Sequence, residues 1–135
     1  MITYKLNEVD LSTLGIHVEK VEGLETIPKK KGTTFHDYPD EQGVTPILTP
    51  YNSRDITIKC VMTASSYEFG VSYFVSLKNI ISGLFTLNIS YYPNILNCDC
   101  IKEVKATRED SVNGSVTWRF NMVLREYNPS NFIAK

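Results

Sequence analysis

The sequence lacks the residues and motifs on which most catalytic sites depend. It contains two histidines, and it has no glycine-rich phosphate loop, no HExxH, no GxSxG and no zinc-knuckle spacing. His17 falls opposite Ile16 and Val18 in a strand pattern, and His36 lies in a segment without periodicity, which is a poor platform for rigid catalysis. The empty motif list predicts a protein that is not an enzyme, with no catalytic residues, no cofactor and no bound metal.

The chain also lacks an excess of charge and a long apolar run. Its 14 basic and 15 acidic residues give a net charge of -1, which provides no general attraction to nucleic acid or anionic lipid. The most apolar run, residues 71–87, is interrupted by serine, lysine, asparagine and glycine, and it cannot cross a bilayer as a lipid-facing helix. The first ten residues show no apolar signal-peptide core. We therefore expect neither nucleic acid nor a membrane as a partner.

Cysteine is scarce as well. Three cysteines are an odd number, which does not indicate a disulfide framework. Cys60 shares strand parity with Ile58, and Cys98 shares strand parity with Cys100, so we expect small buried hydrophobic side chains in a reducing compartment. A metal or redox site at Cys98-Asp99-Cys100 is the alternative, although it lacks the paired spacing of structural zinc sites.

The strongest pattern that is present is a long strand near the end of the chain, from Ser115 to Tyr127. Its apolar and polar residues alternate, so one face is buried and the other is wet. Asn113-Gly114 suits a two-residue hairpin turn, because both residues tolerate positive φ. The turn predicts pairing with residues of roughly Cys100 to Glu109. The apolar face consists of Val116, Trp118, Phe120, Met122 and Leu124.

Five further segments show strand patterns. The second of them loses its alternation between Val18 and Val21, which predicts a β-bulge. A proline at position 129 predicts no further sheet pairing in the tail. The five segments are Ile2 to Leu6, Ile16 to Val21, Arg54 to Thr63, Phe85 to Tyr91 and Leu96 to Arg108.

One segment, residues 65–84, has the spacing of a helix. Ser65-x-x-Glu68 is a capping-box pattern, and Gly83 is a plausible C-cap. The helix carries more apolar residues than one buried face requires, because Phe69, Tyr73 and Ile80 form a second line. This second line predicts contact with a further layer or with a partner.

Between the second and third long strands lies a segment rich in proline and glycine, residues 32–53, without clear periodicity. Loops of this length are functional or disordered, and the apolar residues spread through this one argue against disorder. We interpret it as an extended arm that lies against a surface, either of its own domain or of a neighbouring subunit. Its candidate interface residues are Phe35, Tyr38, Val44, Ile47, Leu48 and Tyr51, to which the helix adds Phe69, Tyr73 and Ile80.

The order of these elements is two strands, the arm, a strand, the helix and three strands. Strands joined by short turns with a single helix predict one domain over residues 1–135, mainly β. The expected architecture is an antiparallel β-sandwich or a partly open barrel.

The layout resembles a family of phage tail proteins. The strand SRDITIKCVMTA after the arm, with Arg54, Ile56, Ile58 and Cys60 in an R-x-I-x-I-x-C/F pattern, is followed by the helix and by a final meander that ends in SVTWRFNMVLREY. This arrangement is similar to the N-terminal ring-forming domain of distal tail (Dit-like) proteins, whose plan is shared with tail-tube and type VI secretion tube proteins.

The resemblance implies a structural role in the tail of a phage or prophage. It implies a homo-oligomeric ring, hexameric in the family, that contacts tube, baseplate or tip proteins. It places the protein in the virion tail, and in the cytoplasm of the bacterial host during assembly. It also implies that strands of adjacent subunits complete one another and that the arm reaches the neighbour.

Two alternatives from other classes remain open. The first is a monomeric β-sandwich module that binds a protein or a small ligand on its sheet. The second, ranked last, is a small enzyme that uses His36, Asp37 and tyrosines.

Overall fold

A computed structural model describes residues 2–25, 35–36, 45–46, 53–111, 113–127 and 133–134. The protein is mainly antiparallel β with one α-helix, and its sheet is not closed into a barrel, which confirms the predicted fold class. A short 3₁₀ helix, Leu11–Leu14, was not foreseen. The strands and the helix are β1 Tyr4–Leu6, β2 Val9–Asp10, β3 Ile16–Glu22, β4 Phe35–His36, β5 Thr45–Pro46, β6 Arg54–Ala64, α1 Tyr67–Ile81, β7 Phe85–Ile89, β8 Asn94–Cys100, β9 Thr107–Asp110, β10 Val116–Glu126 and β11 Ile133–Ala134.

Nine of the strands form one sheet in the order β2-β1-β7-β8-β10-β6-β3, with β9 beside β10 and β11 beside β8. The two ends of this order, β2 and β3, each pair on one side only within the described part of the chain. Strands β4 and β5 form a separate two-stranded ladder within the predicted arm.

The ladder between β6 and β10 is the centre of the sheet. It runs without interruption from Val116 opposite Ala64 to Glu126 opposite Arg54. Both strands alternate as predicted, so their apolar parity joins one buried cluster while their polar parity faces outward. The cluster includes Ile56, Ile58, Met62, Met122 and Leu124.

The predicted bulge in β3 is present. The register of β3 against β6 shifts between Val18 and Lys20. The extra residue at Glu19 brings Val21, which is out of step with Ile16 and Val18 in the sequence, opposite Ile58 and onto the core.

Helix α1 begins one residue later than the capping-box pattern predicts. Ser66, not Ser65, is the N-cap, and its side chain accepts a hydrogen bond from the Phe69 N–H at 3.3 Å. Both serines precede the helix, and spacing alone does not decide between them. The predicted C-cap at Gly83 is also wrong, because Ser82 ends the helix in a right-handed conformation.

The predicted strand over Leu96 to Arg108 is two strands in the structure. β8 pairs with β7 and with the end of β10, whereas β9 pairs with the beginning of β10. Ile101 still donates to the Val123 carbonyl at 3.1 Å, and the chain then leaves the ladder until Thr107. Cys100 and Thr107 are seven positions apart, whereas their partners on β10, Leu124 and Arg119, are five positions apart, and the excess length rules out continuous pairing.

Two smaller predictions about the last hairpin and the tail are wrong. The Ser111 N–H donates to the Ser115 carbonyl at 3.0 Å, so the loop holds three residues and not two, with Gly114 at a φ of 87°. Beyond Pro129, Ile133 and Ala134 pair with β8. Proline removes a backbone donor only at its own position, and pairing can resume further along the chain.

Candidate functional site

The outward side of α1 exposes several large apolar side chains. Phe69 is 57% exposed and Val75 is 53% exposed, while Tyr67 and Val71 are also largely in solvent. The opposite side of the helix packs on the sheet, where Phe74 meets Trp118 edge-on with ring centroids 5.6 Å apart. Isolated exposed apolar residues are normal, but a group on one element indicates a contact surface.

The structure separates the three interface residues that the helix was predicted to supply. Phe69 points into solvent, whereas Tyr73 and Ile80 are half-buried and pack against the protein's own core. The second apolar line is therefore shared between the core and the surface. Of the six candidates in the arm, Phe35 is described only as part of β4. The other five lie outside the described residues and stay predictions: Tyr38, Val44, Ile47, Leu48 and Tyr51.

A groove runs between the end of α1 and the segment that follows β8. We call it the helix-end groove, with a volume of about 480 Å³. Its floor is apolar, two lysines stand on its rim, and the half-buried thiol of Cys100 lies beside it, donating weakly to the Lys102 carbonyl at 3.5 Å. Within the described residues neither lysine forms an ion pair. The lining residues are Phe74, Leu77, Lys78, Ile81, Ser82, Cys100, Lys102 and Val104.

Arg54 joins the segment that precedes the predicted arm to the strand that follows it. Its Nη1 donates to the Leu24 carbonyl at 2.8 Å, its Nε to Glu126 Oε1 at 2.8 Å and its Nη2 to the Tyr92 hydroxyl at 3.0 Å. Gly23, with a φ of 100°, lies so close to β6 that a Cβ there would overlap the Asp55 carbonyl oxygen. Buried Leu24, before the predicted arm, and Arg54, after it, are therefore fixed beside each other.

The outer face of the β3-β6-β10 region carries charges of both signs, and they are paired. Arg119 binds Glu19 at 3.0 Å, and Glu22 lies within reach of Lys59 at 3.4 Å. Hydrogen bonds from lysine side chains lower the pKa of Glu22. The face presents neither an unbroken basic stripe nor an unbroken acidic one.

A cleft of about 360 Å³ separates the beginning of β1 from the beginning of β3. Its walls include Ile2 and Tyr4 on one side and Ile16 and Val18 on the other, with Leu11 of the 3₁₀ helix at the end. It marks the place where the two ends of the sheet approach each other without pairing.

The cysteines are free, and none is placed for nucleophilic chemistry. Cys60 and Cys98 are buried, and burial raises the pKa of each thiol to about 12. Burial also raises the pKa of Cys100. Among the described residues, no group of three or more His, Cys, Asp or Glu side chains could hold a metal ion. No helix in the described ranges is long and apolar enough to span a membrane.

Comparisons with known proteins give a fold and no sequence relative. No protein-family model matches the chain, and no curated protein sequence matches it. Among solved structures it is similar to the Dit protein of SPP1, described as a paradigm of the hub adsorption apparatus in phages that infect Gram-positive bacteria. The chain has a Dit-like fold. The TM-score is 0.57 at 12% identity, over 91% of this chain and 49% of the SPP1 protein, so the chain spans about half the length of that Dit.

The R-x-I-x-I-x-C/F strand lies at the centre of the sheet, directly after the predicted arm. Ile56, Ile58 and Cys60 are buried on β6, and Arg54 is the residue that fixes the base of the arm. Sequence reasoning missed two partners of that arginine, Glu126 and Tyr92. The signal for Glu126 was its position on the buried parity of β10, where a carboxylate requires a partner.

Proposed function

We propose that the protein is a structural, non-enzymatic component of a phage or prophage tail, and that six copies form a ring at the tail tube or baseplate. The observation that carries the proposal is the Dit-like fold over 91% of the chain. The proposal places the protein in the virion tail, with other tail proteins as partners, and in the host cytoplasm during assembly.

The surface of the domain supports association. Strands β2 and β3 end the sheet, and each offers one unpaired side within the described part of the chain. Proteins normally cover or blunt such edges, and a closed ring covers them with the next subunit. The exposed apolar side chains of α1, led by Phe69, add a second surface for a neighbour.

The test is the mass of the particle in solution. Multi-angle light scattering across a wide concentration range should give a multiple of the 15.3 kDa chain, and negative-stain microscopy should show rings with a central channel. A strict monomer at high concentration would contradict the proposal.

The arm is proposed to lie on the neighbouring subunit, through Phe35, Tyr38, Val44, Ile47, Leu48 and Tyr51. Because Arg54 joins Leu24 to the beginning of β6, deletion of residues 34–49 should leave the core folded. The deletion should abolish the oligomer, since it removes most of the proposed contact with the neighbouring subunit. Far-UV circular dichroism would check the fold, and light scattering would check the mass. A deletion variant that assembles normally would show that the arm is not needed.

A monomeric binding module is the second candidate, favoured by the cleft between β1 and β3. A small or extended ligand held there would contact Ile2, Tyr4 and Ile16. Replacing Ile16 with a larger side chain would then abolish ligand binding without changing the mass of the particle. The ring proposal expects instead that substitutions at the subunit contacts change the mass of the particle, and it requires no ligand.

A further inference from the structure

We infer that Glu68 and Phe69 at the beginning of α1, the helix-start patch, seat in the helix-end groove of a second copy of this chain. The inference rests on the proposed ring, and it names the contact between successive subunits. It follows from the shape and charge of two surfaces at opposite ends of one helix.

The groove is suited to an apolar side chain that is accompanied by a negative charge. Its floor is formed by Phe74, Leu77 and Val104, and its volume of about 480 Å³ leaves room for an aromatic ring. Lys78 and Lys102 flank this floor, and none of the described residues that line the groove is a carboxylate. Two cations beside an apolar floor discriminate against a basic partner and favour an acidic one.

The helix-start patch supplies that chemistry. Phe69 is the most exposed aromatic residue of α1, at 57%, and the adjacent Glu68 is exposed as well. Glu68 makes no ion pair within the described residues. An aromatic anchor beside a charge of the right sign is the usual make-up of an interface hot spot.

The contrast with the outer face of the sheet supports this reading of the charges. There Glu19, Asp55 and Glu109 each lie within 4 Å of an arginine of the same chain. Lys78, Lys102 and Glu68 have no such partner within the described ranges. Lys102 attracts Asp55 from beyond ion-pair distance and helps to lower the pKa of that carboxyl. A second molecule can therefore meet these three charges without breaking a direct ion pair.

The positions of the two surfaces determine the kind of contact. Phe69 and Lys78 are separated by about 14 Å along α1, at 1.5 Å per residue, and by about half a turn around its axis, so the patch and the groove face different sides of one molecule. One copy cannot fill its own groove with its own patch. A patch-to-groove contact is head-to-tail, and repeated head-to-tail contacts generate a closed ring when the rotation closes.

A charge exchange tests the contact. Glu68→Lys alone, or Lys78→Glu with Lys102→Glu, should each weaken self-association by at least about tenfold, as loss of a central charged contact does. The combination of all three substitutions should restore most of the lost association. Light scattering and sedimentation would measure this, with Ser76→Lys, an exposed position of α1 outside both the patch and the groove, as the matched control that leaves association unchanged.

A cross-link gives a second measurement that does not depend on weakened binding. Cys100 lies at the groove, while Cys60 and Cys98 are buried, so Glu68→Cys creates one new thiol that can reach Cys100 of a neighbour. A short bismaleimide should produce a ladder from dimer upward. Adding Cys100→Ser should reduce the ladder to dimers at most, and Ser76→Cys should give no ladder.

The outcomes separate this contact from the ring itself. An oligomer in the native protein, lost in the single-sided variants and regained in the combined one, supports the inference. A native oligomer that survives Glu68→Lys and gives no ladder overturns it and leaves the ring proposal standing. Cross-links that form only within one chain overturn it too, because the thiol at position 68 then reaches Cys100 of its own copy. A native protein that stays monomeric overturns both.

Discussion

Two consecutive rungs of the β6–β10 ladder carry the same chemistry in different surroundings. In one, Arg54 binds Glu126 at 2.8 Å, and in the next, Arg125 binds Asp55 at 2.9 Å. The side chains of the first pair are 9% and 0% exposed, whereas those of the second are 36% and 44% exposed. Strand alternation alone produces this difference, because neighbouring residues face opposite sides of the sheet.

The comparison shows that an ion pair gains structural importance when water is excluded from it. A solvated pair is worth little, because water and salt screen it. A buried pair is expensive to create, and it is more expensive to break, since one charge is then left without a partner. In this protein the buried arginine also binds Leu24 and Tyr92, so the pair positions the base of the arm.

The largest expected effect is that of Glu126→Ala. It leaves the buried guanidinium of Arg54 without its carboxylate, which typically costs roughly 3–5 kcal/mol of the free energy of unfolding. Urea denaturation followed by tryptophan fluorescence would measure the loss, since Trp118 lies in the same strand.

The matched control replaces both partners. Arg54→Met combined with Glu126→Leu removes the pair without leaving a buried charge, and it should recover much of the stability lost in Glu126→Ala. If Glu126→Ala were no more destabilising than Asp55→Ala, burial would not explain the difference between the rungs.

An intermediate loss of stability is expected where a side chain is buried without any charge. Two glycines allow the comparison, one inside α1 and one just after it. A Cβ on Gly70 would overlap the indole of Trp118, whereas a Cβ on Gly83 would meet nothing within 4 Å. Gly70→Ala should therefore destabilise the fold by about 1–3 kcal/mol, as overpacking does. Gly83→Ala should be neutral or slightly stabilising, because it restricts only the unfolded chain.

Thermal unfolding of the two glycine variants would check this pair. Equal melting temperatures would mean that Trp118 moves aside at no cost. The cost of a glycine inside a helix predicts from the sequence that something packs closely at Gly70, but it does not name Trp118, because the partner of a helical glycine depends on the tertiary fold.

The regular strands could be predicted from the sequence because alternation encodes which face is buried. The parity of Trp118 and Phe120 on β10, and of Ile56 and Ile58 on β6, is as predicted. Glu126 continues the buried parity of β10, and Arg54 continues that of β6. A charge on each buried parity was visible, and the eleven-residue register that pairs the two charges was not.

Features that depend on where elements meet could not be predicted in this way. The predicted strand from Leu96 to Arg108 includes residues 101–106, yet these leave the ladder because the chain between Cys100 and Thr107 is two residues longer than the stretch of β10 that it faces. The helix-end groove exists only because that departure places Val104 and Lys102 beside α1. Local patterns contain no information about such a meeting of distant segments.

The smallest expected effect concerns how stability depends on pH. It would sharpen the contrast between the Arg54–Glu126 and Arg125–Asp55 pairs. The hydrogen bond from Arg125 lowers the pKa of Asp55, so the stability from this carboxylate is present above its unfolded pKa of about 3.9 and is lost as the pH falls through the folded value. Burial raises the pKa of Glu126 against the opposing pull of Arg54, so its contribution is present below about pH 4.3 and is lost as the pH rises.

Asp55→Asn should therefore cost at most about 1 kcal/mol near neutral pH, because the pair is screened by solvent, and the cost should shrink as the pH falls toward 3. The measurement is the difference in unfolding free energy between native protein and variant, followed from pH 3 to pH 7. Glu126→Gln should change the slope of the unfolding free energy against pH in the opposite direction over the same range. Slopes of the same sign in both variants would mean that Arg54 stabilises ionised Glu126 as effectively as Arg125 stabilises Asp55. The unpartnered, buried Oε2 of Glu126 argues against that result, because no donor compensates its lost hydration.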